Sequence, residues 1–169
     1  LTMESYLLYG EWADKNGHSK SYVSATQPVY CTNSTVCGWC EAWKSAGLLE
    51  YGKNYCTYVD KNLVKGFNPQ LKLDINSVLS QGGETCAFQW NGFALTDPDD
   101  YSAKKAALGD RTLKDFLYHT GHLLSAMKQA IAGELGNERA EKIAAKAMAD
   151  YADMYGADFA QAVLEESTQ

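Results

Sequence analysis

No part of this 169-residue chain approaches the roughly 20 consecutive apolar residues that a membrane-spanning helix needs, so the sequence predicts no span. A basic excess is also missing. Fifteen Lys and Arg stand against 21 Asp and Glu, giving a net charge of -6. Without a basic stripe, neither nucleic acid nor an anionic membrane surface is the expected partner. The N-terminus lacks the basic flank and long apolar core of a signal peptide, and the first residue is not Met, which predicts a trimmed or processed chain. There is no internal repeat and no low-complexity segment. Cysteines number five, an odd count in a chain too long to need disulfide staples, so free thiols in a reducing, cytoplasmic setting are expected. The glycosylation-type triplet Asn33-Ser34-Thr35 carries no meaning in that setting. Only one pair of cysteines is spaced for a structural zinc site, at Cys37 and Cys40 with Cys31 nearby, where such sites usually show two pairs.

What is present is concentrated. All five cysteines, Cys31, Cys37, Cys40, Cys56 and Cys86, fall between residues 31 and 86. Thiol chemistry, more often than packing, decides where cysteine is kept, which directs the search for function to the first half. Near residues 97–110 the composition changes from Tyr, Trp, Cys, Gly and Val to Ala, Leu, Lys and Glu. That shift predicts a mixed α/β part over 1–100 and a helical hairpin over 101–169 that packs on it, within one domain.

Hydrophobic periodicity sets the expected elements. Residues 3–14 read as a short helix or a strand. Residues 22–30 read as a strand that ends in a loop over 31–35. Ser34 or Thr35 is placed to cap a helix over 36–49, and Gly47 to end its regular part. A second helix is expected over 53–64, stopped by Gly66 and Pro69. Leu71, Leu73 and Ile75 alternate inward on one strand, and Cys86, Phe88 and Trp90 on another, with the Gly82-Gly83 pair between them as a hairpin signal. Residues 97–100 read as a loop. Two long helices follow, over 110–134 and 138–165, with Gly136 between them and Asn137 as a cap. The first is expected to bury Phe116, Leu117, Leu124 and Met127, and the second Ile143, Tyr151, Met154, Tyr155 and Val163. The fold class is α+β: a small antiparallel sheet with helices packed on it and a C-terminal antiparallel helix pair.

Several side chains carry chemistry. Cys56 and Asp60 are four apart on an expected helix and so share a face. Cys86 begins a strand beside Gly82 and Gly83, where glycines let a small ligand approach the backbone. Two thiols and a carboxylate around one pocket supply a nucleophile and a proton-transfer group. The alternative is that Cys56 and Cys86 are small buried hydrophobes and Asp60 a surface charge. Cys37 and Cys40 have the two-residue spacing of a redox pair at a helix start, or a purely structural role. Asp115, His119 and His122 lie at helical spacing and could bind a metal, or form a solvated face. Tyr55, Tyr58, Trp39, Trp43 and Trp90 lie near the thiols in sequence and suit the lining of a small-molecule pocket.

Three segments together resemble the bacterial L-2-amino-thiazoline-4-carboxylic acid hydrolase family: Cys56-Thr-Tyr-Val-Asp60, Gly66-Phe-Asn-Pro69, and Leu79-Ser-Gln-Gly-Gly83 leading into Cys86-Ala-Phe88. Residues 31–48 fit the same pattern more loosely, and residues 127–140 resemble the family's helical region. The resemblance implies hydrolysis of a C–N bond in a small cyclic amidine-type substrate, with ring opening. It singles out Cys56, Asp60 and Cys86 as catalytic, with Gly82, Gly83, Tyr55 and Trp90 on the substrate side. No cofactor and no metal is implied. The family's helices precede its sheet, whereas here they follow it. That order implies a permuted chain, missing N-terminal helices, or a homo-oligomer or second chain that completes the fold. Two other readings of the residues are a binding or sensing module on the same scaffold, and a thiol redox protein using Cys37 and Cys40.

Overall fold

The computed structural model describes residues 1–14 and 16–168. They form two compact units, residues 1–112 and 113–169. The class is α+β, as expected. No described helix is long and apolar enough to cross a membrane.

The first unit opens with helix α1 (Met3–Leu8), whose start is held by Thr2 and Ser5, each hydroxyl meeting the other's backbone N–H. Strands β1 (Lys20–Ala25) and β2 (Tyr30–Val36) follow, then helices α2 (Gly38–Ser45) and α3 (Leu49–Phe67). Strand β3 (Leu73–Ser77) leads through a short 3-10 turn, Leu79–Gln81, to β4 (Cys86–Trp90), and helix α4 (Pro98–Leu108) closes the unit. The four strands are antiparallel in the order β1-β2-β4-β3. Successive strand residues point to opposite faces. Cys86, Phe88 and Trp90 therefore share one face, and Ser34 lies directly across from Cys86, Ile75 from Phe88 and Leu73 from Trp90.

That face is covered by α1 and α3. Met3, Val64 and Leu73 form the buried centre of the core, with Tyr6, Leu7, Ile75, Phe88 and Trp90 packed around it. Along α3, Gly52, Cys56, Asp60 and Val64 recur every four residues, so they lie along one stripe. Both ends of the stripe are buried: Val64 has no exposed surface, and Gly52 is pressed against the Trp43 indole of α2.

In the second unit, α5 (Phe116–Leu135) and α6 (Asn137–Tyr155) pack as a pair, and α7 (Ala157–Glu166) packs on both. Met148, Ala160 and Val163 are its buried centre, against Leu117, Leu124 and Tyr151. Gly121 lets α5 approach the backbone of Ser167 closely.

The structure corrects several expectations. The run over 22–30 is two strands, because residues 26–29 turn at Pro28 and the chain reverses. Residues 31–35, read as a loop from their Thr, Asn and Ser content, form the strand between β1 and β4; pairing on both sides outweighs weak local propensity. The cap position of α2 is Cys37 rather than Ser34 or Thr35, since those two are committed to β2. Helix α3 runs through Gly66 to Phe67. Residues 98–108 are a helix, started by the Asp97 side chain on the Asp100 N–H with Pro98 at the first turn. The last long helix is interrupted at Gly156, whose φ of 98° breaks the α-helical path. Asn137 is the first helical residue of α6, and its cap position is Gly136. Phe116, Met127, Ile143, Met154 and Tyr155 are exposed rather than buried.

Replacing Gly52 by Ala places a methyl group within the Trp43 ring, an overpacking that ordinarily costs about 1–3 kcal/mol. Urea unfolding of Gly52→Ala should show that loss together with altered tryptophan fluorescence. Parental stability would mean that α2 and α3 are not in close register.

Candidate functional site

A cavity of about 240 Å3 opens in the first unit between the sheet, α2 and α3. Its size suits a small ring and falls below the usual range for drug-sized ligands. The α3 stripe supplies Cys56 and Asp60, and the neighbouring Tyr55 joins them. The sheet supplies Cys86 and Phe88 from β4, Ile75 from β3 and Ser34 from β2. Helix α2 contributes Cys37 at its cap position together with Trp39 and Trp43, and Tyr6 comes from α1.

The turn between β3 and β4 holds this arrangement in place. The Leu79 N–H reaches the Cys86 sulfur at 3.4 Å. The Gln81 side-chain amide donates to the Thr57 hydroxyl of α3 at 2.9 Å, tying the turn to the helix beside Cys56. Ser80 is fully buried on the same turn next to the Cys56 thiol. Its hydroxyl tempers the thiol's upward shift but completes no hydrogen bond of ordinary geometry.

The electrostatics follow from desolvation. Burial raises the Cys56 thiol pKa, with Ser80 acting against that trend and the Asp60 charge adding to it. Burial likewise raises Cys86, opposed by the Leu79 N–H and reinforced by Cys37, Cys56 and Asp60. Asp60 is itself raised by burial, because its charged form loses water. Its charge in turn raises the phenols of Tyr6 and Tyr55, beyond the larger effect of their own burial. The cavity thus favours protonated thiols and a carboxyl group that holds its proton more tightly than a surface aspartate does.

Of the residues singled out by sequence, Cys56, Asp60, Cys86 and Tyr55 come to this one cavity. Gly82, Gly83 and Trp90 lie outside its lining. Gly82 ends the 3-10 turn with φ of 90°, a left-handed conformation that favours glycine. Gly83 is packed against Ser77 and Val78. Trp90 is two residues further along the same face, against Tyr6 and Phe88, and its indole N–H donates to the Thr32 hydroxyl at 2.9 Å. Tyr58 is exposed on the far side of α3.

The remaining candidates separate. All five cysteines are free thiols. Cys37 lines the cavity, whereas Cys40 is buried and raised by that burial. The Cys31 sulfur faces the Val29 carbonyl at 3.6 Å. Asp115 caps α5 by accepting from the Tyr118 N–H at 2.9 Å, and His122 stacks on Tyr118 at 4.1 Å. Among the described residues, no group of three or more His, Cys, Asp or Glu is placed to hold a metal. Sequence reasoning did not place Tyr6 or Trp12 near the thiols, and gave Ser34 and Ser80 no role at the site. Tyr6 and Trp12 reach the site from a distant segment, and no local pattern announced them.

The first unit is a small α+β fold whose cavity gathers thiols and one carboxylate. The L-2-amino-thiazoline-4-carboxylic acid hydrolase family model matches residues 2–90, slightly more than half of the chain, and the chain belongs to that family. No curated protein and no solved structure matches it.

Because burial raises the Asp60 pKa, the fold favours its protonated form, and ionisation at neutral pH works against folding. Asp60→Asn should therefore raise the thermal unfolding midpoint at neutral pH. The gain should shrink as pH falls through the raised value and vanish below about 4, where the unfolded carboxyl is protonated too. A variant less stable than the parent at neutral pH would refute a desolvated Asp60.

Proposed function

We propose that the cavity hydrolyses a C–N bond of a small cyclic amidine-type substrate, using a thiol as nucleophile and Asp60 to move protons. The observation that carries this reading is the arrival of Cys56, Asp60 and Cys86, from α3 and β4, at one cavity of ring size in a chain of the hydrolase family.

Both thiols are held protonated by burial, so the nucleophile is generated as it reacts. Asp60, when ionised, is a stronger base than a surface aspartate and borders the same space. The sulfur of Cys56 or Cys86 bonds to the C=N carbon while its proton passes to Asp60, and the C=N electron pair moves onto nitrogen. Protonated Asp60 then returns the proton to the ring nitrogen; as the C–N bond breaks and the ring opens, the second amidine nitrogen forms a double bond to the carbon and passes one of its protons to the departing amine. Water adds to the sulfur-bound carbon and gives a proton to Asp60. The C–S bond breaks, the sulfur recovers that proton, and the thiol is restored. The net change is addition of one water across the C–N bond.

Turnover of cyclic amidines, with and without a ring carboxylate, can be followed by mass spectrometry of the opened product. Asp60→Asn should lower kcat by about 100- to 10,000-fold. Either Cys56→Ala or Cys86→Ala should abolish turnover and the sulfur-bound intermediate. Activity should fall on the acid side at a pH above the ordinary carboxylate range near 4, because Asp60 must be ionised to accept the thiol proton. Full turnover in all three single variants would remove these roles.

A further inference from the structure

The turn between β3 and β4 carries a group to which the hydrolytic steps give no task. Ser80 is 1% exposed, and its hydroxyl oxygen is sealed from solvent with no hydrogen-bond partner among the described residues. A buried hydroxyl without a partner weakens the fold that contains it, so stability does not explain its presence. An alanine there would fill nearly the same space without that penalty.

The turn is fixed on both sides of Ser80. On one side the Leu79 N–H reaches the Cys86 sulfur at 3.4 Å. On the other the Gln81 side-chain amide donates to the Thr57 hydroxyl at 2.9 Å and to the Lys53 carbonyl at 3.4 Å, two groups one turn apart on α3. Backbone bonds from the Gln81 and Gly83 N–H groups to the Val78 carbonyl, at 3.1 and 3.0 Å, close the turn itself. Ser80 is thereby held beside the Cys56 thiol. Cys56 in turn lies four residues from Asp60 on α3, a spacing that puts their Cβ atoms about 5–6 Å apart.

The ionisable groups acting on Cys56, Asp60 on its own helix and Cys37 and Cys40 on α2, oppose its ionisation, and Tyr6, Tyr55 and Cys86 also border the space. A hydroxyl that rotates onto the sulfur works the other way, because a hydrogen bond to a thiolate is stronger than one to a thiol. The two candidate thiols differ in this respect. Cys86 already accepts its N–H donor in the resting state. The Ser80 hydroxyl is uncommitted and gains its bond only as charge develops on Cys56, so it favours the ionised state selectively. Cys56 is also half-buried, where Cys86 is buried.

We infer that Ser80 is the positioning residue for Cys56: its hydroxyl turns onto the Cys56 sulfur as the S–H proton leaves for Asp60, which makes Cys56, and not Cys86, the reactive thiol of the cavity. The inference deepens the hydrolytic reading and rests on it for the carbon that this sulfur attacks.

Alkylation by iodoacetamide, in which the thiolate sulfur displaces iodide, reads the ionised thiol without any amidine substrate. Each cysteine of the full chain is followed separately at pH 8 by peptide mass spectrometry. Ser80→Ala should slow the labelling of Cys56 by about three- to tenfold, since loss of the hydrogen bond lowers the thiolate fraction while the greater basicity of the sulfur restores part of the rate. It should leave Cys86 labelling unchanged and the thermal midpoint at pH 7 equal or higher. If Ser80 were merely structural, the same substitution would lower that midpoint and speed the labelling of both thiols. Asp60→Asn should speed Cys56 labelling, and Ser80→Ala in that background should slow it again by a similar factor. Unchanged or faster Cys56 labelling in Ser80→Ala, or an equal slowing at Cys86, would overturn the inference. Slowed Cys56 labelling in a chain that opens no cyclic amidine would uphold the role of Ser80 and remove the hydrolytic reading. Amidine turnover at the parental kcat in Ser80→Ala, with Cys56 labelling unchanged, would do the reverse.

Discussion

The anchoring of α3 against the sheet is the constraint on which the site depends. Gly52, Cys56, Asp60 and Val64 form one stripe, and its two ends are fixed by packing: Val64 in the core with Met3 and Leu73, and Gly52 beneath the Trp43 ring. A rigid helix held at both ends cannot turn its middle toward water. Cys56 and Asp60 are therefore carried into a desolvated space by the apolar contacts on either side of them. The polar groups are buried because their helix is.

Desolvation then sets the chemistry. Two thiols and a carboxyl group share a small volume; the Asp60 charge raises both thiols, and the Cys56 charge raises Cys86. The opposing influences among the described residues are local: the Leu79 N–H at Cys86 and the Ser80 hydroxyl at Cys56, both supplied by the turn between β3 and β4. That turn is in turn held to α3 through Gln81 and Thr57. It explains why a segment whose glycines attracted attention matters less for Gly82 and Gly83 themselves than for the residues just before them. Glycine shapes the turn, and Leu79, Ser80 and Gln81 make the contacts.

Some elements were legible in advance and others were not, for separable reasons. The alternation of Cys86, Phe88 and Trp90 and the four-residue spacing of Cys56 and Asp60 are direct readouts of strand and helix geometry. The helix over 98–108 was missed although Asp97-Pro98 is a recognisable start, because two further aspartates and an Ala-Lys run hid any apolar face. β2 was missed for a different reason. Asn33 and Ser34 at its centre are poor strand formers that mask the preference of Thr32, Thr35 and Val36, and the segment is fixed as a strand by hydrogen bonding to β1 and β4.

What the amino-acid sequence determined alone was whatever depends on neighbours a few residues apart: which side chains share a face of α3 or β4, and where Gly47 and Gly136 interrupt a helix. Tertiary structure decided which of those faces meet. Cys37 and Cys40 illustrate the division. Their spacing is identical from either side, yet one thiol borders the cavity and the other is sealed in the core. Backbone periodicity is a local property, whereas a cavity is the space left when distant surfaces fail to close on each other, and that depends on the packing of every element around it.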